Sequence, residues 1–212
     1  MSNSSTLQPA AAAEGATAGL FSGLRLNADP RRWNVPIIAE LGVAVALAAV
    51  LGLWRVFEMP QGGSVSLEML PLVFVAVRRG LVPGLICGAV FGGVQLILSR
   101  GYVYQPAQGL LDYPLAFAAV GLAGLVMVRG AKSLALAVCI GSLARFVFHF
   151  LSGIIFFASY APASWLAHWW GAPTYSITYN LLYLVPEAAI TGIALWPLLK
   201  TYDATFPRGG RL

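Results

Sequence analysis

The stretch from Ser133 to Ala158, SLALAVCIGSLARFVFHFLSGIIFFA, decides the fold of this chain. It is apolar almost throughout, and it is longer than the roughly 20 residues that a helix needs to cross the core of a bilayer. It also contains Arg145 and His149, which are four residues apart and therefore share one face of a helix. Because polar side chains are costly in lipid, this pattern predicts a helical bundle that encloses them.

Four further apolar runs of similar length predict more membrane spans. They are Pro36–Trp54, Leu81–Ser99, Ala107–Val128 and Ile177–Leu199. A sixth run, Leu67–Val77, is too short to cross the bilayer as a helix, so we expect it either to begin nearer Gly63 or to sit inside the bundle. The sequence therefore predicts an all-α integral membrane protein, a compact bundle of six transmembrane helices.

The composition agrees with lipid as the solvent for much of the surface. Of the 212 residues, 58% are hydrophobic and only 10% are charged, and the mean hydropathy is +0.77, whereas about 25% of the residues of a soluble domain are charged. Residues 31–200 contain no linker and are predicted to form one membrane domain. Residues 1–30 are expected to be a flexible N-terminal tail, and residues 201–212 a short cytoplasmic C-terminal tail.

Basic residues are distributed unevenly over the two ends of the predicted bundle. With six spans, one side collects Arg25, Arg31, Arg32, Arg78, Arg79, Arg129, Lys132, Lys200, Arg208 and Arg211. The opposite side keeps Arg55 and Arg100. Since positive charge resists translocation, this asymmetry predicts that both termini are cytoplasmic.

Polar side chains from three spans fall at a similar depth in the outer half of the bundle. They are Asp112, His149 and Asn180, and Asn180 shares its helix face with Tyr179 and Tyr183. A cavity lined by a carboxylate, an imidazole, an amide and aromatic rings suits a small, flat, cationic heterocycle. Aromatic faces attract cations, and the polar groups satisfy ring nitrogens and amino groups.

Four strings of the chain resemble a known family, the thiamine-specific substrate-binding subunits (S-components) of energy-coupling factor (ECF) transporters. The strings are QGLLDYPLAF (Gln108–Phe117), ARFVFHFLSGIIFF (Ala144–Phe157), YSITYN (Tyr175–Asn180) and RRG (Arg78–Gly80). The resemblance extends over about residues 36–200. It implies a multi-pass protein of the prokaryotic cell membrane that captures thiamine tightly at the extracellular side. The implied partners are the lipid bilayer and an ECF module of one transmembrane coupling subunit and two ATPases.

Neither catalysis nor a cofactor is expected of this chain, and no metal site or nucleic-acid partner. Thiamine would be the transported ligand. The chain lacks a GxxxxGK[ST] phosphate loop, so ATP hydrolysis is expected from the module.

The resemblance also assigns substrate-binding positions. Carried over motif by motif, and with Arg145 added because it shares the helix face of His149, they are Asp112, Tyr113, His149, Phe157, Tyr175, Asn180, Tyr102 and Arg145. The chain departs from the family pattern where Asp112 replaces a longer carboxylate and where Phe157 replaces tryptophan. The loop Gln61–Ser64 also lacks the family's tryptophan. These departures predict an affinity or selectivity different from the family's usual behaviour.

The first span carries small residues at four-residue spacing, Ala44, Ala48 and Gly52. Such a stripe permits close helix contact. In the family an alanine stripe on the first helix meets the coupling subunit, so these residues are predicted to dock the partner. Packing against the chain's own bundle is the alternative.

Other functions fit the sequence less well. An S-component for a different small vitamin would share the same architecture. A rhomboid-like intramembrane protease would use Ser152 and His149, but the required GxSG is missing because residue 150 is Phe. A haem or metal site using His149 and His168 would join residues at different depths, with no partnering ligands.

Overall fold

The computed structural model of the chain describes residues 34–98 and 103–205. The helices are α1 (Val35–Leu51), α2 (Met69–Arg79), α3 (Leu81–Leu98), α4 (Pro106–Leu125), α5 (Ala131–Phe156), the short α6 (Ala163–Leu166) and α7 (Gly171–Thr205). Two short strands, β1 (Phe57–Glu58) and β2 (Ser64–Val65), form an antiparallel hairpin between α1 and α2. The predicted N-terminal tail lies outside the described residues. The last helix continues to Thr205, past the predicted start of the C-terminal tail at residue 201.

The predicted all-α membrane fold is confirmed. Within the described ranges, α3, α4, α5 and α7 are long and apolar enough to cross a membrane, and α1 is a shorter apolar helix. Together with α2, these helices correspond in order to the six predicted spans. The last span begins at Gly171 rather than at the predicted Ile177, because the less apolar segment Gly171–Ser176 continues the helix outward.

The short second span, α2, is an internal helix. Of the two predicted alternatives, the place inside the bundle is the one observed. The helix begins at Met69 and not nearer Gly63, because the preceding chain forms the hairpin, with Gly62 and Gly63 at positive φ in its turn. Met69, Val73 and Val77 are at most 2% exposed. Neighbouring helices rather than lipid surround α2, and a helix of 11 residues is therefore sufficient.

The small-residue stripe of α1 also packs inside the bundle. Ala44 and Ala48 are 6% and 0% exposed within the core that α1 shares with α2 and α3. A Cβ atom at Gly52 would lie 2.7 Å from Oε2 of Glu68. The prediction that Ala44, Ala48 and Gly52 dock a partner is therefore wrong. The small side chains instead let the first three helices of the chain approach one another.

Helix α3 presents Gly84, Gly88 and Gly92 to α4 along one face. A Cβ atom at Gly92 would lie 2.5 Å from the carbonyl oxygen of Tyr113 and 2.6 Å from Cα of Pro114. At this contact α4 widens into a π-helical turn, Leu111–Leu115, in which Pro114 has no N–H to donate. The turn carries Asp112, so the close approach at Gly92 fixes the depth of that carboxylate.

Helices α5 and α7 run antiparallel in close contact. A Cβ atom at Gly153 would clash with Oγ of Ser176 near the outer end, and one at Gly192 would lie 4.0 Å from Cγ2 of Val138 toward the inner end. This register brings the polar face of α5 against the polar face of α7 at the depth of the candidate site.

Candidate ligand-binding cavity

A cavity lies between the hairpin and the outer parts of α4, α5 and α7. Seven of the eight predicted substrate-binding residues line it: Asp112, Tyr113, Arg145, His149, Phe157, Tyr175 and Asn180. Tyr102 lies outside the described residues. The structure thus brings together residues that are dispersed over the second half of the chain.

Asp112 is the centre of the polar wall. Its Oδ1 lies 3.2 Å from Nδ1 of His149. Its Oδ2 accepts hydrogen bonds from Oγ of Ser152 at 2.8 Å and from Nε2 of Gln108 at 2.7 Å. The side chains of Asp112 and His149 remain 15% and 10% exposed, so both reach the cavity. The carboxylate is held in one orientation and is still open to a ligand.

Arg145 forms the floor of the cavity and is almost completely enclosed. Its Nη1 donates to Glu187 at 3.0 Å, its Nη2 to Glu68 at 3.2 Å, and its Nε to Nε2 of His149 at 3.1 Å. Its Cζ lies 4.2 Å from the ring centroid of Phe117. The residue is only 3% exposed. Each of its three nitrogens thus donates to a protein group.

Asn180 is also largely committed to the bundle. Its Nδ2 donates to the carbonyl oxygen of Ser176 at 2.8 Å, and its Oδ1 accepts from the hydroxyl of Tyr183 at 2.9 Å. Asn180 is 5% exposed and Tyr183 is 2% exposed. The amide therefore orders this wall, and only a small part of it faces the cavity.

The hairpin forms the roof. The hydroxyl of Tyr179 donates to the carbonyl oxygen of Gly62 and accepts from the backbone N–H of Gln61, both at 2.9 Å. A Cβ atom at Gly63 would lie 2.7 Å from the ring of Tyr183. Glycine is therefore required here both by its positive φ and by the close approach of α7. The loop Gln61–Ser64, which lacks the family's tryptophan, is therefore part of this roof.

Aromatic rings form the side walls. Phe157 packs edge-to-face against Tyr104, with ring centroids 6.0 Å apart, and Tyr175 lies 5.6 Å from Tyr179. A carboxylate beneath aromatic walls is the arrangement that attracts a flat cation.

Several lining residues were missing from the predicted set. Gln108 is four residues before Asp112 and Ser152 is three after His149, so helical spacing alone was a usable signal for both. Glu68 gave no such signal, because its position under the cavity depends on how the hairpin and α2 pack.

The alternative chemistries find no support in the described part of the chain. Ser152 donates its hydroxyl proton to Asp112 and is not bonded to His149, so a nucleophile–base pair is not formed there. Within the same residues, no group of three or more His, Cys, Asp or Glu side chains is placed to hold a metal ion.

A bundle of apolar helices with an enclosed polar and aromatic cavity near one end belongs to the class of multi-pass membrane proteins that bind a small ligand. The family model for thiamine transporter proteins (Thia_YuaJ) matches residues 38–207, and the chain belongs to this family. Its relatives are transporters of the prokaryotic cell membrane and are not enzymes, as the sequence predicted.

Individual relatives agree with this assignment. The thiamine transporter ThiT of Bacillus subtilis is 38% identical over 180 residues, which cover 77% of this chain and 90% of that protein. ThiT of Lacticaseibacillus paracasei is 38% identical over 143 residues, covering 59% and 71%. The solved structure of ThiT from Listeria monocytogenes matches with a TM-score of 0.69 at 27% identity, covering 81% of this chain and 97% of that one.

Proposed function

We propose that this chain captures thiamine with high affinity at the extracellular side, as the S-component of an ECF importer. A separate module of one transmembrane coupling subunit and two ATPases then drives release into the cytoplasm. The observation that carries the proposal is the Asp112 carboxylate, which is held by three protein donors and faces an aromatic cavity. Family membership supports thiamine as the ligand.

The chemistry of thiamine suits these side chains. Its thiazolium ring carries a permanent positive charge, which the Asp112 carboxylate neutralises while Phe157 and Tyr175 supply faces for stacking. Its aminopyrimidine ring offers nitrogens and an amino group, for which His149, Tyr113 and the exposed part of Asn180 supply directional partners. Tyr102 is assigned to the same pocket by resemblance alone.

Release into the cytoplasm requires that the module reorient the chain and that the roof then open. The Tyr179 hydroxyl joins the hairpin to α7 through Gln61 and Gly62, so the bound ligand is enclosed while these hydrogen bonds persist. The coupling subunit would act from a lipid-facing surface other than the stripe Ala44, Ala48 and Gly52, which is buried.

Titration calorimetry on the detergent-solubilised protein tests the ligand. Among the described residues that line the cavity there is no tryptophan, so heat is a more direct signal than intrinsic fluorescence. Thiamine, thiamine monophosphate, thiamine diphosphate, riboflavin and biotin are titrated separately. We expect thiamine to bind at submicromolar concentration, with riboflavin and biotin silent. Tighter binding of riboflavin or biotin would assign the cavity to another vitamin.

Uptake of radiolabelled thiamine tests the coupling. Cells that express this chain with an ECF module should accumulate thiamine, and a module whose ATPases carry an inactivated phosphate loop should not support accumulation. Equal accumulation with active and inactive ATPases would contradict the ECF assignment, whatever the calorimetry shows.

A further inference from the structure

His149 is held between two partners of opposite charge. Its Nδ1 lies 3.2 Å from Oδ1 of Asp112, and its Nε2 accepts a hydrogen bond from Nε of Arg145 at 3.1 Å. A guanidinium group only donates hydrogen bonds and keeps its protons in proteins. Nε2 must therefore present its lone pair to Arg145. The proton of the neutral imidazole is then on Nδ1 and is donated to Asp112.

The surroundings of His149 disfavour a protonated, positively charged ring. An imidazolium would turn an N–H toward the N–H of Arg145 and add a second positive charge beside it. The neighbouring groups on α7 are neutral: the Tyr183 ring has its centroid 6.1 Å from that of His149, and Asn180 donates to the backbone carbonyl of His149 at 3.4 Å. Of these neighbours, only Asp112 favours the protonated ring.

Arg145 is itself fixed by groups from other elements. Glu68 precedes α2 and Glu187 lies on α7, and each accepts from a different nitrogen of the guanidinium. The side chain of Arg145 is 4% exposed, and Phe117 covers one face of it. Glu68 and Glu187 together offset the positive charge of the guanidinium, so an arginine under the cavity is compatible with a cationic ligand above it.

We propose that Arg145 is a positioning residue that holds His149 neutral with its proton on Nδ1, and thereby keeps Asp112 an anion available to a cationic ring. The ligand's identity in this proposal rests on the proposed function. The state of His149 does not rest on it, because the contacts with Asp112 and Arg145 exist without a ligand.

The first test is ¹⁵N NMR of the imidazole ring without ligand. The chain has two histidines, so the variant His168→Gln leaves His149 as the single ring to observe. We expect a neutral ring protonated on Nδ1 at both about pH 5.5 and about pH 7.5, on either side of the ordinary histidine pKa. An imidazolium, or a ring protonated on Nε2, at either pH would overturn the proposal.

The second test is the pH profile of thiamine binding in Arg145→Lys. Lysine keeps the positive charge, but its single nitrogen cannot meet Glu68, Glu187 and His149 with the geometry of the guanidinium fork. The released ring should take a proton from about pH 6.5 downward, pair with Asp112 and weaken cation binding at least tenfold at about pH 5.5. Wild-type binding should stay flat over the same range. A variant profile that coincides with the wild type would contradict the assigned role.

Two controls separate this role from general damage. Arg79→Lys makes the same substitution in the Arg79–Glu40 ion pair, away from the cavity, and should leave the binding profile unchanged. If Arg145→Lys does not fold, the combined variant Glu68→Gln, Arg145→Met and Glu187→Gln removes the three buried charges together and should show the same loss at low pH. If wild-type protein fails to bind thiamine, the proposed function fails, and the NMR result still decides the state of His149.

Discussion

Two clusters of polar and charged side chains lie one helical turn apart along α5, and they differ in how far they are exposed to the cavity. The outer cluster, Asp112, His149, Ser152 and Gln108, keeps its carboxylate and imidazole 15% and 10% exposed to the cavity. The inner cluster, Arg145, Glu68, Glu187 and Gln95, lies at the floor of the cavity and is more deeply buried, with its three charged side chains at most 6% exposed. The outer cluster is thus more open to a ligand than the inner cluster.

This difference in exposure predicts that the outer cluster binds the ligand and that the inner cluster stabilises the fold. In the inner cluster the Arg145 guanidinium pairs with both carboxylates inside the protein, so its removal leaves Glu68 and Glu187 buried without a cation. In the outer cluster the carboxylate is oriented by the protein but still lacks a positive partner, which a ligand supplies. Substitutions in the inner cluster should therefore lower the free energy of unfolding, and substitutions in the outer cluster should weaken thiamine binding.

The largest effect is expected for Arg145→Met. The substitution leaves Glu68 and Glu187 buried without a cation, which should cost about 3–5 kcal/mol of the free energy of unfolding. Thermal unfolding in detergent measures this loss. The matched variant Arg79→Met breaks an ion pair whose side chains are 27% and 24% exposed, and should cost about 1 kcal/mol or less. Equal losses in the two variants would contradict the structural role assigned to the buried guanidinium of the inner cluster.

Asp112→Asn should weaken thiamine binding and leave the stability of the fold almost unchanged. Thiamine binding should weaken by about 2–4 kcal/mol because the cation loses its desolvated counter-charge. The melting temperature should change little, since the amide oxygen still accepts from Ser152 or Gln108. Glu40→Gln, which neutralises a carboxylate remote from the cavity, is the control and should bind as the wild type does. Unchanged affinity in Asp112→Asn would remove Asp112 from the site.

Gly92→Ala tests how the outer cluster is positioned. The added methyl group would meet the backbone of Tyr113 and Pro114, displacing the turn that carries Asp112, at a cost of about 1–3 kcal/mol in stability. Thiamine affinity should fall in the same variant. Gly93→Ala is an adjacent control, because a Cβ atom there meets nothing within 4 Å. If both variants behave alike, the α3–α4 contact does not set the depth of Asp112.

Tyr179→Phe tests the roof. The variant loses the hydroxyl that joins Gln61 and Gly62 to α7, which should cost about 1 kcal/mol and appear as faster thiamine dissociation in a chase experiment. Tyr160→Phe is the comparison, since Tyr160 is 48% exposed and its ring packs on Phe157. Equal dissociation rates for wild type and Tyr179→Phe would show that the hairpin is held by other contacts.

The smallest effect is expected for Phe157→Trp. A larger ring on the side wall should add stacking area and tighten thiamine binding by about 0.5–1 kcal/mol. It would also place a fluorescent reporter in the cavity, so quenching on titration checks the change independently of calorimetry. A weaker affinity would indicate that the wall is already filled by Tyr104 and Phe157.

Helical spacing and depth were sufficient to predict Asp112, His149 and Asn180 as lining residues, and the family resemblance added Tyr113, Phe157 and Tyr175. Asp112 and His149 lie in long apolar runs, where polar side chains turn inward, and the structure brings them to one cavity. The same reasoning failed for Ala44, Ala48 and Gly52, because a stripe of small residues looks identical whether it meets another subunit or its own bundle. It also missed Glu68, which lies outside any long run.

The sequence by itself determined the class of this protein, its helical spans and the chemical types that face inward, because the cost of polar groups in lipid acts on each helix separately. Tertiary packing decided which of those polar groups remain open to a ligand. The pairing of Arg145 with Glu68 and Glu187, and the hydrogen bonds of Tyr179 to the hairpin, depend on contacts between segments that are distant in the chain. No local pattern specifies such contacts, since they are fixed by the shapes of several packed elements together.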